Sequence, residues 1–190
     1  MITSTAFCGI SGKIARLVPR DFFAVVLVAA MLLAPVFAHA AAMAEPRPWQ
    51  RGATPPLVLK DIEGKAQDLK KYRGKVVLIN FWATWCEPCR DEMPSIQRLA
   101  EKMQGKPFVV LAVNVDEPEA RIRRFMEQVP LPFPVLVDDG MSAAKEWSAR
   151  ILPSSFIVDR DGRVRYIVTG ETDWTSPKLV TLIDGLTKHR

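Results

Sequence analysis

The chain has 190 residues, of which 26 are basic and 21 are acidic, so its formal net charge is +5. This mild surplus favours solubility more than any particular partner. No basic stripe with interleaved aromatic residues is present, and we therefore expect no nucleic-acid partner. About 150 residues follow residue 40, which suits a single domain with one sizeable core.

The first 40 residues have the pattern of an export signal. Three basic residues precede an apolar run of sixteen residues at 22–37, and Ala38-His39-Ala40 offers small residues for cleavage before Ala41. The run is short against the ~20 residues that cross a bilayer, which favours cleavage over the alternative, an N-terminal inner-membrane anchor. The basic flank directs the rest of the chain out of the cytoplasm in both cases, so we expect a periplasmic protein, either soluble or anchored.

Beyond this segment, apolar strand patterns alternate with amphipathic helix patterns. Residues 41–55 are rich in Pro and Ala and are predicted to be a linker, which leaves 56–190 as the domain. The predicted elements are a hairpin at 57–69, a buried strand at 76–82, a helix at 89–104, a strand at 108–113, a helix at 119–128, a strand at 135–137, a short helix at 142–150, a hairpin of strands at 155–158 and 164–168, and a helix from Ser176 or Pro177. This order predicts an α/β fold in which a mixed central sheet has helices on both faces.

Cys86 and Cys89 are the two cysteines expected in the exported chain, since Cys8 precedes the apolar run and is discarded with the signal. A structural disulfide is one alternative, but a bridge across two intervening residues closes almost no loop and stabilises little. A metal site is another, but zinc usually takes four ligands and His189 is the only histidine beyond the cleavage region. We therefore predict a catalytic dithiol that needs neither a metal nor a cofactor, at the end of a central strand, where such sheets place their sites.

The chain resembles the thioredoxin superfamily, and within it the exported TlpA/ResA/CcmG group of thiol–disulfide oxidoreductases. Residues 80–92 (NFWATWCEPCRDE) are similar to the active-site strand, motif and helix start of that group, and Pro94 stands at the kink proline of thioredoxin-like helices. Residues 152–159 (LPSSFIVD) are similar to the segment that holds the family's cis-proline, and 113–149 to the insertion typical of the group. The resemblance covers roughly 55–188 and implies a thioredoxin-like fold with an N-terminal β-hairpin and a central β-α insertion.

The order of the two cysteines predicts their roles. Cys86 is predicted to be the nucleophile, because a helix N-terminus lowers the pKa of a thiol, and Cys89, one turn further, to be the resolving thiol. Pro88 suits the first helical turn and stiffens the ring that a disulfide would close. Trp85 is predicted to form, with Pro88, an apolar contact surface for the substrate; the alternative for Trp85 is a core aromatic.

The resemblance adds three further residues to the site. It implies that Pro153 is cis and that Leu152 offers backbone groups to an extended substrate chain. Plain thioredoxin has a buried aspartate where this chain has Asn80, which cannot accept a proton. The TlpA/ResA group often has an acid three residues after the second cysteine, so Glu92 is the candidate base. The alternative is a solvated acid that favours the positive end of the helix.

These observations together predict an exported reductase of specific protein disulfides. The resemblance suggests apocytochrome c as the first client and copper-site proteins as the second, with a membrane thiol protein as the electron donor. A periplasmic disulfide oxidase or isomerase is the nearest alternative. A metal carrier and a thiol peroxidase, in which Thr84 would assist the cysteine, are the remaining ones.

Overall fold

The computed structural model of the protein describes residues 43–188. The predicted signal or anchor at 1–40, with Cys8, and the C-terminal His189 lie outside the described residues. Between residues 43 and 188, no helix has the length and apolar character needed to cross a membrane.

One mixed sheet forms the centre of the domain. Its order is β1-β8-β7-β4-β5-β6-β2-β3, with β4, β5 and β6 parallel and every other neighbouring pair antiparallel. The strands of the described residues are Arg47–Pro48 (β1), Val58–Asp61 (β2), Ala66–Asp68 (β3), Val76–Trp82 (β4), Phe108–Val115 (β5), Val135–Asp138 (β6), Ser154–Val158 (β7) and Val164–Thr169 (β8). The predicted mixed sheet and both predicted hairpins are confirmed.

Four α-helices flank this sheet within the described residues. They are Glu87–Lys102 (α1), Glu119–Gln128 (α2), Ser142–Glu146 (α3) and Pro177–Lys188 (α4), with short 3-10 turns at Leu69–Tyr72 and Asp139–Met141. The helix predicted over 142–150 is shorter than expected, since a turn follows Glu146, and α1 starts two residues before the predicted helix and continues through Pro94.

The two faces of β4 belong to two separate apolar cores, which places helices on both sides as predicted. Leu78 and Trp82 pack with residues of α1, α2 and α4, whereas Ile79 and Phe81 pack with residues of α3. Every residue of β4 is buried. A strand buried on both faces needs an unbroken apolar run, which the sequence provides at 76–82 apart from Asn80.

The first part of the domain differs from the prediction. The sequence predicts a linker at 41–55, but Arg47 and Pro48 within it pair with β8 as an edge strand. The ring of Trp49 also packs edge-on against Phe156, with 5.8 Å between the ring centroids, and Thr54 accepts a hydrogen bond from the backbone of Val164. These contacts are made with residues more than a hundred positions away, so the local sequence carries no periodic signal for them.

Candidate active site

The two cysteines lie where the central strand gives way to a helix. Cys86 occupies the N-cap position of α1, and its sulfur accepts a hydrogen bond from the backbone N–H of Cys89 at 3.3 Å. The two sulfurs form a disulfide in this structure. The exposed fraction is 5% for Cys86 and zero for Cys89. The helix N-terminus therefore stabilises negative charge on the more accessible of the two sulfurs.

The surface around Cys86 is open and partly aromatic. The side chain of Trp85 is 63% exposed, so the alternative of a core aromatic is wrong, and Glu87 and Pro88 are exposed as well. A groove of about 1000 Å³ lies at the opposite end of the sheet, and neither this groove nor a smaller one beside the α3–β7 loop is lined by a cysteine. A dithiol on an open surface suits attack on a disulfide in another protein, whereas small-molecule sites are usually concave.

The loop before β7 lies at the same end of the sheet as the two cysteines. The Leu152–Pro153 peptide bond is cis, as the resemblance implied. Ser154 pairs with Phe81 of β4, so this loop lies beside the end of β4 that leads to the dithiol. The carbonyl of Pro153 accepts a hydrogen bond from Gly170, whereas no hydrogen bond joins the backbone of the half-buried Leu152 to another described residue. The backbone groups of Leu152 therefore have no hydrogen-bond partner among the described residues.

Glu92 is buried beneath the dithiol end of α1. It follows Cys89 by three residues, which places the two side chains on neighbouring positions of one helix face. Its carboxyl group is 2% exposed, accepts a hydrogen bond from the side chain of Asn80 at 2.7 Å, and accepts another from the backbone of Thr172 at 3.3 Å. The alternative of a solvated acid is wrong, because Glu92 is almost fully buried.

Burial raises the pKa of Glu92 to about 8, and the negative charge of Glu171 adds to this effect. The hydrogen bonds from Asn80 and Thr172 act in the opposite direction but are outweighed. The indole N–H of Trp174 also lies near the carboxyl group and lowers its pKa, although it completes no hydrogen bond. A carboxyl group with a pKa this close to neutral can both accept and return a proton under physiological conditions.

Comparison with known proteins agrees with this geometry. Residues 52–167 match the model of the AhpC/TSA family. The chain belongs to this family of the thioredoxin superfamily. It is 38% identical to the thiol-disulfide oxidoreductase ResA of Geobacillus thermodenitrificans over 159 residues, which cover 82% of this chain and 88% of the relative. A ResA of Bacillus cereus is 40% identical over 117 residues, which cover 62% of this chain and 68% of the relative.

Solved structures of the family give the same result for the fold. A Chlorobium tepidum protein described as a thiol:disulfide interchange protein DsbE is 30% identical and has a TM-score of 0.62, over 70% of this chain and 92% of that one. The predicted thioredoxin-like fold is therefore confirmed, and so is the predicted activity as a thiol–disulfide oxidoreductase.

Glu117 is a further residue of the site, and the sequence alone does not connect it to the cysteines. No motif marks this acid in the sequence, but the structure buries its carboxylate against the loop before Cys86. It accepts hydrogen bonds from the backbone N–H of Thr84 at 2.6 Å, the hydroxyl of Thr84 at 2.5 Å and the side-chain amide of Asn114 at 2.8 Å. The carboxylate thereby fixes the loop that delivers Cys86. The hydroxyl of Thr84, which a peroxidase would need at its cysteine, is turned towards Glu117.

Proposed function

We propose that the protein reduces disulfide bonds in a restricted set of exported proteins, with Cys86 as the attacking thiol and Cys89 as the resolving thiol. The observation that carries this proposal is the asymmetry of the pair. Cys86 lies at a helix N-terminus beside an exposed tryptophan, whereas Cys89 is fully buried beside a carboxyl group of raised pKa. The first environment suits attack on an external disulfide, and the second suits a thiol that reacts only inside a mixed disulfide.

The reaction transfers two electrons to the client in two exchanges. The Cys86 thiolate attacks one sulfur of the client disulfide and releases the other client sulfur as a thiolate. Cys89 then loses its proton and attacks the Cys86 sulfur, which releases the second client thiolate and leaves the Cys86–Cys89 disulfide. A thiol donor must then reduce this bridge before the next turnover, and a membrane thiol protein is the proposed donor.

Glu92 is the proposed acceptor of the Cys89 proton. In the oxidised structure, burial holds the Glu92 pKa near 8, so that the carboxyl group is mostly protonated at pH 7. This is the state expected if Glu92 has taken the proton from Cys89 as the bridge closed. Glu92→Gln should shift the pH profile of mixed-disulfide resolution to higher pH, as followed by rapid mixing with a disulfide peptide. An unchanged profile would show that Glu92 does not take this proton.

The charge beside Cys86 supports the reducing direction. Glu87 is exposed and adjacent to the nucleophile, where its negative charge tempers the stabilisation of the thiolate. We therefore expect a reduction potential nearer the ~−270 mV of thioredoxin than the ~−120 mV of a strong oxidant. Equilibration with glutathione redox buffers measures this value, and a potential above about −150 mV would favour the oxidase instead.

The clients and the compartment follow from the sequence pattern and the resemblance. Residues 1–40 direct export, either as a cleaved signal or as an anchor, and the dithiol then works in the periplasm. The resemblance to the TlpA/ResA/CcmG group favours the haem-binding cysteines of apocytochrome c as the target, followed by the cysteines of copper-site proteins.

Trapping of the mixed disulfide tests this proposal. Cys89→Ser removes the resolving thiol, so Cys86 should stay covalently bound to its client, which is then identified after purification under non-reducing conditions. Cys86→Ser is the matched control and should capture nothing. Recovery of one or a few client proteins supports a specific reductase. Recovery of many unrelated unfolded secretory proteins would instead indicate an oxidase or isomerase.

A further inference from the structure

A basic groove lies beside the cis-proline loop, on the side of the sheet that faces α3. Its volume is about 580 Å³. Three arginines line it, and its apolar floor comes from the loop before Leu152 and from β8. We call this the arginine groove, defined by Arg47, Arg51, Arg150, Ile151, Ile167 and Thr169.

The three arginines of this groove have no acidic partner among residues 43–188. All three are exposed, and none of them forms an ion pair or a side-chain hydrogen bond with another residue between 43 and 188. No aspartate or glutamate lines the groove. Other arginines of the described chain, such as Arg123 and Arg165, do pair with nearby carboxylates. The groove therefore carries three positive charges that no ion pair within the described residues neutralises.

The position of the groove connects it to the dithiol. Ser154, which also lines it, pairs with Phe81 of β4 on one side and with Thr169 of β8 on the other. Neighbouring strands lie about 4.8 Å apart, so β8 is roughly 10 Å and β1 roughly 15 Å from β4. Arg47 is level with Ile167, Phe156 and Ile79 across the sheet, so it also lies three residues, roughly 10 Å, before the Trp82 end of β4. An extended chain advances about 3.3 Å per residue, so about five or six residues reach from that end of β4 to Arg47.

Ile151 offers an apolar contact between the dithiol and the arginine groove. Its side chain is 62% exposed, and it immediately precedes Leu152, whose backbone groups have no hydrogen-bond partner in the described chain. An isoleucine this exposed, next to a free backbone and a basic groove, fits a bound polypeptide chain better than a flat lipid surface.

We propose that the arginine groove binds an acidic segment of the client protein, about five or six residues from the cysteine that Cys86 attacks. This inference rests on the proposed function, because it places a client disulfide at Cys86. Arginine suits the task, since its planar guanidinium group can bind a carboxylate through two parallel hydrogen bonds. Acidic residues near the target cysteine would thus help to select the clients.

Two synthetic peptides test this inference. Both contain one internal disulfide. Five residues from this disulfide, one peptide carries Glu-Glu-Glu and the other carries Gln-Gln-Gln. The second-order rate constant for reduction of each peptide by the reduced, exported protein gives an acidic-to-neutral preference. Three exposed ion pairs of about twofold each predict a preference of roughly eightfold at low salt, which should shrink at about 0.5 M salt.

Two variants with the same change in net charge locate the source of the preference. In R47Q/R51Q/R150Q the preference should fall to about one, whereas K60Q/K75Q/R124Q removes three exposed charges elsewhere and should keep it. If R47Q/R51Q/R150Q misfolds and reduces neither peptide, the single variant R150Q should still halve the acidic-to-neutral preference. Equal losses of preference in the two triple variants would show general electrostatic attraction and would overturn the inference.

Two other outcomes would also overturn it. A wild-type preference near one would mean that the groove does not recognise acidic peptides, even though the reductase activity stands. An unchanged preference in R47Q/R51Q/R150Q, together with lost binding to vesicles of anionic phospholipid, would assign the groove to a membrane surface. If the reduced protein reduces neither peptide, the proposed function itself fails and this inference falls with it.

Discussion

Replacement of Glu92 by glutamine should stabilise the oxidised protein by an amount that grows with pH. Burial raises the pKa of Glu92 from 4.5 to about 8. Between these two values the folded state holds a proton that the unfolded state has released. The free energy of unfolding of the wild type therefore falls as the pH rises through this window, and the contribution of Glu92 is fully favourable only below about pH 4.5.

The size of the effect follows from the pKa difference. Each pKa unit corresponds to about 1.4 kcal/mol, so between pH 5 and pH 7 the buried carboxyl group lowers the free energy of unfolding by about 2.5 kcal/mol. Glutamine does not titrate, so this fall in the free energy of unfolding is absent from the variant. The amide also changes the hydrogen bonds with Asn80 and Thr172, but this change contributes the same amount at both pH values and cancels from the comparison.

Urea unfolding of the oxidised wild type and Glu92→Gln at pH 5 and pH 7 measures this effect. The difference in free energy of unfolding between the two proteins should increase by about 2 kcal/mol or more on going to pH 7. Glu87→Gln is the control, because it makes the same chemical change at an exposed position of the same helix and should give no such increase. A difference that stays constant within about 0.5 kcal/mol would refute the raised pKa and, with it, the physical basis for proton transfer to Glu92.

Three further predictions concern the residues around the dithiol and one helix start. Trp85→Ala should lower kcat/KM for a protein disulfide about tenfold, and it should leave the urea midpoint unchanged because the ring is exposed. The measurement compares the reduction of insulin with the reduction of a small aromatic disulfide. Glu117→Ala should cost about 1–3 kcal/mol in urea unfolding, because three donors that converge on the carboxylate lose their acceptor. Asp138→Ala should cost a similar ~1–3 kcal/mol by the same measurement, because two buried backbone N–H groups at the start of α3 lose their acceptor, whereas Asp139→Ala at the exposed neighbour should cost little.

The sequence predicted the elements whose signals are local. The all-apolar run at 76–82 can be accommodated only in a strand buried on both faces, and the Asp161-Gly162 turn between two β-rich segments specifies a hairpin. The dithiol was predictable for the same reason, since two cysteines two residues apart after a buried strand fall at the start of the following helix.

The sequence could not predict the features that depend on distant partners. The edge strand at Arg47–Pro48 exists only because β8 offers its free edge, and two residues are too few to show an alternating pattern. Asn80 looks like a polar interruption of an apolar strand. Its side chain instead donates hydrogen bonds to Glu92 and to Ser155, which are 12 and 75 positions away. Only the folded chain shows that the side-chain amide of Asn80 and the backbone N–H of Thr172 converge on one carboxyl group.

Glu92 and Glu117 show how the fold assigns different tasks to the same residue type. Both carboxyl groups are buried next to the strand-to-helix junction that carries the dithiol. Glu117 accepts three short hydrogen bonds, two of them from Thr84, which hold the loop before Cys86 in place. Glu92 accepts only one short bond and one long bond, too few to offset its desolvation, so its pKa lies near neutral and it can exchange a proton. The number of donors that reach each carboxyl group thus separates an anchor for the loop from a proton acceptor for Cys89.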